Sequence, residues 1–312
     1  MATLFLTHED CLGHVNPDGH PEQVSRLEMI WAALEDPKFD DLVREEARLG
    51  TEDQILTTHP ARYLERVKSI APTGDQTAFI DADTSMVKGS YQAALRGVGG
   101  ACAAVDRVMK GDVQNAFCAL RPPGHHAERE TAMGFCIFGN IAIAATHARR
   151  TYGLDRVAIV DFDVHHGNGT QDLVQGDEGI LFVSSHQMPL YPGTGYPSEV
   201  GPHGTILNVA LPAGSGRAAM EDSYREVVFP RLNAFKPQLV LISAGFDAHA
   251  ADPLANLNWV EEDFAWLTRE LCKIAATHAE GRVVSLLEGG YDLEALAASA
   301  AAHVSVLMEE GS

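Results

Sequence analysis

Residues 157–170 read VAIVDFDVHHGNGT: four apolar residues run into two acids and two histidines, followed by glycines. An apolar run of that length, bounded by polar and turn residues, is the mark of a strand buried on both faces, as in a parallel sheet. On an extended backbone, side chains at i, i+2 and i+4 share a face. Asp161, Asp163 and His165 are therefore predicted to point the same way at the end of that strand, while His166 projects to the other face and is not counted as a ligand. Three polar groups so placed cost several kcal/mol unless hydrogen bonds or a metal compensate. A mononuclear metal site is the first expectation.

Similar apolar runs lie on either side: Leu4 to Leu6, Ala116 to Leu120, Ile180 to Val183, Leu239 to Ile242 and Val283 to Leu287. Between most of them come stretches with helical periodicity, at 85–110, 138–151, 218–235, 260–279 and 292–309. In the first of these Tyr91, Leu95, Val98, Cys102, Val105 and Met109 form one stripe. Strands alternating with helices imply an α/β fold whose mostly parallel sheet is covered on both faces. No linker, repeat or composition break divides the chain, so one domain is expected over 1–312. Ligands of such sheets bind outside the carboxyl ends of the strands. The polar clusters fall there: RPPGHH, DFDVHHGNG, SAGFD and EGGY each follow an apolar run.

Each cluster carries chemistry. Adjacent His125 and His126 beside a metal suit acid–base work, since imidazole titrates near neutrality; Asp161 and Asn168 are available to orient the two rings. Alone, a histidine pair in a proline turn is more often structural. Asp163 and His165 are the candidate ligands from the second cluster. A third ligand must come from SAGFDAHAAD, where Asp247, His249 and Asp252 are not separable by spacing. Three nitrogen and oxygen ligands leave open positions, the mark of a catalytic metal. Zinc suits that set, and Fe²⁺, Co²⁺ or Mn²⁺ would also bind it. Tyr291, delivered by Gly289 and Gly290, offers a phenol to hold an oxyanion. Gly134, Phe135 and Tyr191 are candidate walls of a narrow slot for an aliphatic chain.

Composition narrows the classes of function. Lys and Arg number 23 against 43 Asp and Glu, a net charge of −20. Such a surface repels phosphate backbones, so direct nucleic-acid binding is not expected, and cationic ligands are favoured. No apolar run approaches membrane-spanning length, and MATLFLTHED is too short and too soon acidic to read as a signal peptide. Five dispersed cysteines without a CxxC pair fit a reducing compartment, and a cytoplasmic location is expected.

The motifs HEDCLGH, HPEQVSRL, RPPGHHA, GFCIFGN, DFDVHHGNGTQ, SAGFDAHAADPL and LEGGYDL together resemble the class II branch of the histone deacetylase and acetylpolyamine amidohydrolase superfamily. The resemblance extends from about residue 8 to 309. It implies the three-layer α/β/α arginase–deacetylase fold around an eight-stranded, mostly parallel sheet, and one Zn²⁺ per chain on Asp163, His165 and Asp247. It implies catalytic roles for His125, His126 and Tyr291, with Asp161 paired to the first histidine and Asn168 in its class II form. Phe135 and Tyr191 match the tunnel walls, Gly134 and Gly289 adjoin the substrate path, and Asp83 matches a rim aspartate that grips the substrate. Leu254 stands where a polyamine-selective member carries glutamate, which weighs against a polyamine substrate. Arg26 matches an arginine of an internal acetate channel. Asp161, Asp163, His165 and Ser184 match a site for K⁺ or Na⁺. The implied activity is zinc-dependent removal of acetyl or short acyl groups from acetyl-lysine peptides or small acylated amines. An acetylpolyamine amidohydrolase, a dimanganese ureohydrolase and a non-catalytic acyl-lysine binding module are the alternatives. No oligomeric state is implied.

Overall fold

The computed structural model describes residues 2–311. Eight parallel strands form the central sheet: β1 (Thr3–Thr7), β2 (Val43–Glu46), β5 (Asn115–Cys118), β6 (Val157–Asp161), β7 (Ile180–Gln187), β8 (Ile206–Leu211), β9 (Leu239–Ala244) and β10 (Val283–Leu287). A two-stranded antiparallel hairpin, β3 (Ala78–Phe79) with β4 (Ser85–Met86), stands apart. The sheet order is β2-β1-β5-β10-β9-β6-β7-β8. Its six inner strands are the six apolar runs, because a strand covered on both faces has no polar position to break its hydrophobic sequence. The two that escaped the pattern, β2 and β8, are its edges. β2 alternates half-buried and exposed residues as VREE, and Asn208 interrupts β8.

Helices cover the sheet on both sides. Leu293–Glu310 packs against Glu261–His278 and Ser25–Ala33 on one side, and Ser90–Met109 packs against Asn140–Tyr152 on the other. The helix expected over 218–235 is instead Arg217–Ser223, a wide turn Tyr224–Val228 and Phe229–Phe235. Pro230 has no N–H to give to the carbonyl four residues back. The backbone widens by one residue just before it, so the Phe229 N–H reaches the Tyr224 carbonyl instead.

Within this order, β5, β10, β9 and β6 are consecutive neighbours and all parallel. The four polar clusters that follow them therefore emerge side by side at one edge. The register sets Asp161 on β6 opposite Ser243 on β9 and Ser184 on β7.

Candidate active site

Strand β6 ends at Asp161, so Asp163 and His165 are not carried on a continued strand as the alternation predicted. They are turned inward by the aspartates themselves. The Asp161 carboxylate accepts the Asp163 N–H at 3.1 Å, and the Asp163 carboxylate accepts the His165 N–H at 2.9 Å. Two successive Asx turns give the convergence that an extended strand would have given. His166 faces away, its ring bonded to Thr194 and Gln171.

Asp247, just past β9, completes the cluster. Its Oδ1 accepts the Val164 N–H at 2.9 Å, while its Oδ2 lies 3.0 Å from His165 Nδ1. Asp163 Oδ1 is 3.1 Å from the same nitrogen. The other two residues that spacing left open are engaged elsewhere. His249 receives the Ala251 N–H and faces Glu261, and Asp252 receives the N–H groups of Leu254 and Tyr291. Among the described residues, Asp163, His165 and Asp247 form the one group of three or more such side chains that can hold a metal, with ligand atoms within 4.8 Å of one another.

Two glycines make the room for these carboxylates. A Cβ on Gly245 would lie 2.1 Å from Asp163 Oδ2, and one on Gly289 would lie 2.2 Å from Asp247 Oδ2. Gly289 also donates its N–H to Asp163 Oδ2 at 2.8 Å. Expected beside the substrate, Gly289 is packed against the Asp163 and Asp247 carboxylates. Two carboxylates and one imidazole, all buried, form a donor set that fits a divalent ion of the zinc type.

The tandem histidines stand beside this cluster with centroids 4.0 Å apart. His125 Nδ1 is 3.0 Å from Asp161 Oδ2, and His126 Nδ1 is 2.7 Å from Asn168 Oδ1. Their environments separate them. Burial opposes charge on His125, but Asp163 and Asp161 raise it well above the ordinary imidazole value. Burial, with His125 and His165 close by, holds His126 well below it. The two rings are driven in opposite directions, His125 toward the charged form and His126 toward the neutral one. Tyr291 has its phenol raised well above 10 by burial, so it stays protonated and can donate. Its ring lies 5.0 Å from the Arg26 guanidinium, which holds the carbonyls of Glu288 and Gly290 at 2.5 and 2.6 Å.

His126, His165 and Tyr291 open into a cavity of about 220 Å³ whose lining also includes Phe135, Tyr191 and Leu254. Gly134 and Asp83 also line it. Phe135 and Gly134 both have left-handed backbones, with φ of 69° and 55°. For a non-glycine residue that conformation must be held from outside. The β3–β4 hairpin does so: Asp83 accepts the Gly134 N–H at 3.1 Å and Thr84 Oγ1 accepts the Phe135 N–H at 3.0 Å. Thr84 and Glu288 escaped sequence reasoning. Glu288 left one signal, a lone acid ending the apolar run VVSLL. Ser184 lies beside Asp161, with its hydroxyl 3.0 Å from His186 Nδ1.

Comparison with known proteins covers most of the chain. The histone deacetylase domain family matches residues 20–307. Histone deacetylase 14, chloroplastic, of Arabidopsis thaliana is 39% identical over all of this chain and 78% of its own length. A probable deacetylase of Archaeoglobus fulgidus is 37% identical over 94% of this chain and 82% of its own. A histone deacetylase-like amidohydrolase of Pseudomonas aeruginosa is 40% identical over 78% of this chain and 64% of its own. The crystal structure of the HDA15 HD domain superposes with a TM-score of 0.92 at 33% identity, covering 99% of this chain and 88% of that one. The fold is accordingly the arginase–deacetylase fold.

Proposed function

The chain belongs to the histone deacetylase family, and from that premise we propose that it is a zinc-dependent amidohydrolase acting on acetyl-lysine or a similar small acylated amine. One observation carries this reading. His126, His165 and Tyr291 line one cavity with aromatic walls, and Asp163, Asp247 and His125 are buried against them, the aspartates on His165 and His125 beside His126.

Asp163, His165 and Asp247 would hold the zinc, which supplies Lewis-acid polarisation of an amide carbonyl and lowers the pKa of a water. His126, neutral and oriented by Asn168, takes the proton from the attacking water. The Tyr291 hydroxyl donates to the oxygen on which charge develops. His125, kept cationic by Asp161 and Asp163, adds positive charge beside that oxygen, and a protonated histidine returns a proton to the leaving amine. Phe135 and Tyr191 flank the aliphatic part of the substrate, and Asp83 sits at the rim. A K⁺ or Na⁺ beside Asp161, Asp163, His165 and Ser184 is part of the same proposal.

Leu254 on the cavity wall offers no charge to a second ammonium group, which favours acetyl-lysine over acetylpolyamines. Among the described residues no helix is long and apolar enough to cross a membrane, and all five cysteines are free and buried. That thiol chemistry supports a reducing compartment. Turnover of acetyl-lysine peptides compared with acetylputrescine and acetylspermidine, using zinc-loaded protein, tests the assignment. Faster turnover of the peptides is expected; equal or faster turnover of the polyamines would reverse the substrate choice, and no turnover of either would overturn the reading.

A further inference from the structure

Glu288 is buried between the site's loops and takes no part in the chemistry proposed above. It is 1% exposed. Its Oε2 accepts the N–H of Gly124 at 2.7 Å and of His125 at 3.1 Å, and its Oε1 accepts the Ser243 hydroxyl at 3.2 Å. Its own N–H donates to the Ala244 carbonyl at 2.9 Å. One side chain thus joins the loop after β5 to the end of β9 while standing at the end of β10.

A buried carboxyl is costly, and an apolar residue of the same volume would fill the space at less expense. What an apolar residue cannot do is accept hydrogen bonds. The turn before the tandem histidines contains Pro122 and Pro123, and the N–H groups of Gly124 and His125 donate to no backbone carbonyl among the described residues. On its other side, Gly124 is pressed against residues 138–140. A Cβ there would lie 2.8 Å from the Asn140 nitrogen and 2.9 Å from the Phe138 carbonyl oxygen. The turn is clamped between that wall and the carboxyl.

We propose that Glu288 is a positioning residue for the tandem histidines. It fixes the backbone of His125 while Asp161 fixes its ring, so that both rings stand correctly over the cluster. The inference rests on the deacetylase reading for its catalytic consequence only. Burial pushes the Glu288 carboxyl up to about 7, so near neutrality its reach and its acceptor oxygens matter more than a fixed charge.

Two substitutions separate reach from charge. In Glu288→Gln the amide oxygen still meets both N–H groups and the amide nitrogen can donate to the Ser243 hydroxyl. In Glu288→Asp the charge stays and the acceptor is withdrawn by one methylene. Misplacement by about 1 Å costs on the order of 100-fold in rate. Glu288→Asp is therefore expected to lower kcat on an acetyl-lysine peptide by roughly 10- to 100-fold with KM within about threefold. Bound zinc should be unchanged, and Glu288→Gln should stay near wild type. Hydrogen exchange of the peptide spanning residues 121–126 should speed up in the Asp variant alone. That readout needs no turnover, so an inert wild-type protein would sink the deacetylase reading and leave the clamp to be decided by exchange. An Asp variant with wild-type kcat and exchange, or a Gln variant as impaired as Asp in either, would overturn the inference.

Discussion

Two groups of buried carboxylates lie within this fold, and the chain treats them in opposite ways. At Glu22, wholly buried, the cations are built in. Arg121 donates to both carboxylate oxygens, Arg26 donates to one at 3.2 Å, and Asn16 adds a bond at 2.8 Å. Burial alone would raise this carboxyl, yet Arg121 and His14 hold it well below the ordinary range. At the candidate metal cluster Asp161, Asp163 and Asp247 accept backbone N–H groups, and the basic side chains against them are imidazoles, with no guanidinium or ammonium among the described residues. Burial and the neighbouring Asp163 push Asp247 up to about 7, and burial pushes Asp161 up to about 6. The first group is balanced by the polypeptide. The second is short of fixed positive charge, and a divalent ion or protons must make up the difference. The first sets shape, since Arg26 and Arg121 fasten the loops that carry Tyr291 and the histidines. The second is left unbalanced for chemistry.

The comparison is most easily broken at Glu22. Glu22→Ala strands two buried guanidinium groups and is expected to cost about 3–5 kcal/mol, read from urea unfolding. Asp247→Ala should abolish zinc binding while moving the metal-free midpoint far less, because it relieves a surplus of like charge. Equal losses from the two substitutions would dissolve the contrast. The next effect is catalytic. Tyr291→Phe should lower kcat/KM by about 10²–10³, equivalent to about 2.7–4 kcal/mol, with zinc content and unfolding unchanged.

A third effect follows from the missing charge. Zinc at a hundredfold excess over its Kd should stabilise the fold by about 2.7 kcal/mol, seen as a raised unfolding midpoint. In the metal-free protein, burial works against a charged His165, but its bonds to Asp163 and Asp247 raise it to about 10. That ion pair stabilises fully below the unfolded value of 6.5 and is lost as pH rises through about 10. Zinc must displace that proton, so its affinity should rise about tenfold per pH unit around neutrality for one proton released. Competition titrations at two or more pH values check this, and a flat profile would contradict it. The smallest effect lies at the cavity wall, on the β3–β4 hairpin. Thr84→Val removes the bond that holds Phe135 at φ 69°. A loss of about 1 kcal/mol, roughly fivefold in KM for an acetyl-lysine peptide, is expected with kcat little changed.

What could be read from the sequence follows from which interactions are local. The inner strands announce themselves through uninterrupted apolar runs, and the edge strands do not: β2 alternates with exposed residues, and the mostly buried β8 is interrupted by Asn208. Asp163 and His165 are legible as candidate ligands because they stand within three residues of each other just past the end of one strand. The third member of the cluster is not, because Asp247, His249 and Asp252 follow β9 within nine residues of its end and only the turn geometry brings Asp247 to His165. Glu22 sits in HPEQVSRL like any acid near a helix start, and nothing in its surroundings points to Arg121, 99 residues away. The clamping role of Glu288 likewise depends on partners 164 and 45 residues distant. Non-local polar contacts leave no periodicity, so structure alone displays them.

The most direct test is metal stoichiometry measured together with turnover. Protein reconstituted with zinc and freed of excess is expected to hold one equivalent per chain, to lose both metal and acetyl-lysine hydrolysis in a strong chelator, and to regain both on adding zinc. Chains that stay metal-free and still cleave the amide at an undiminished rate in chelator would contradict the account.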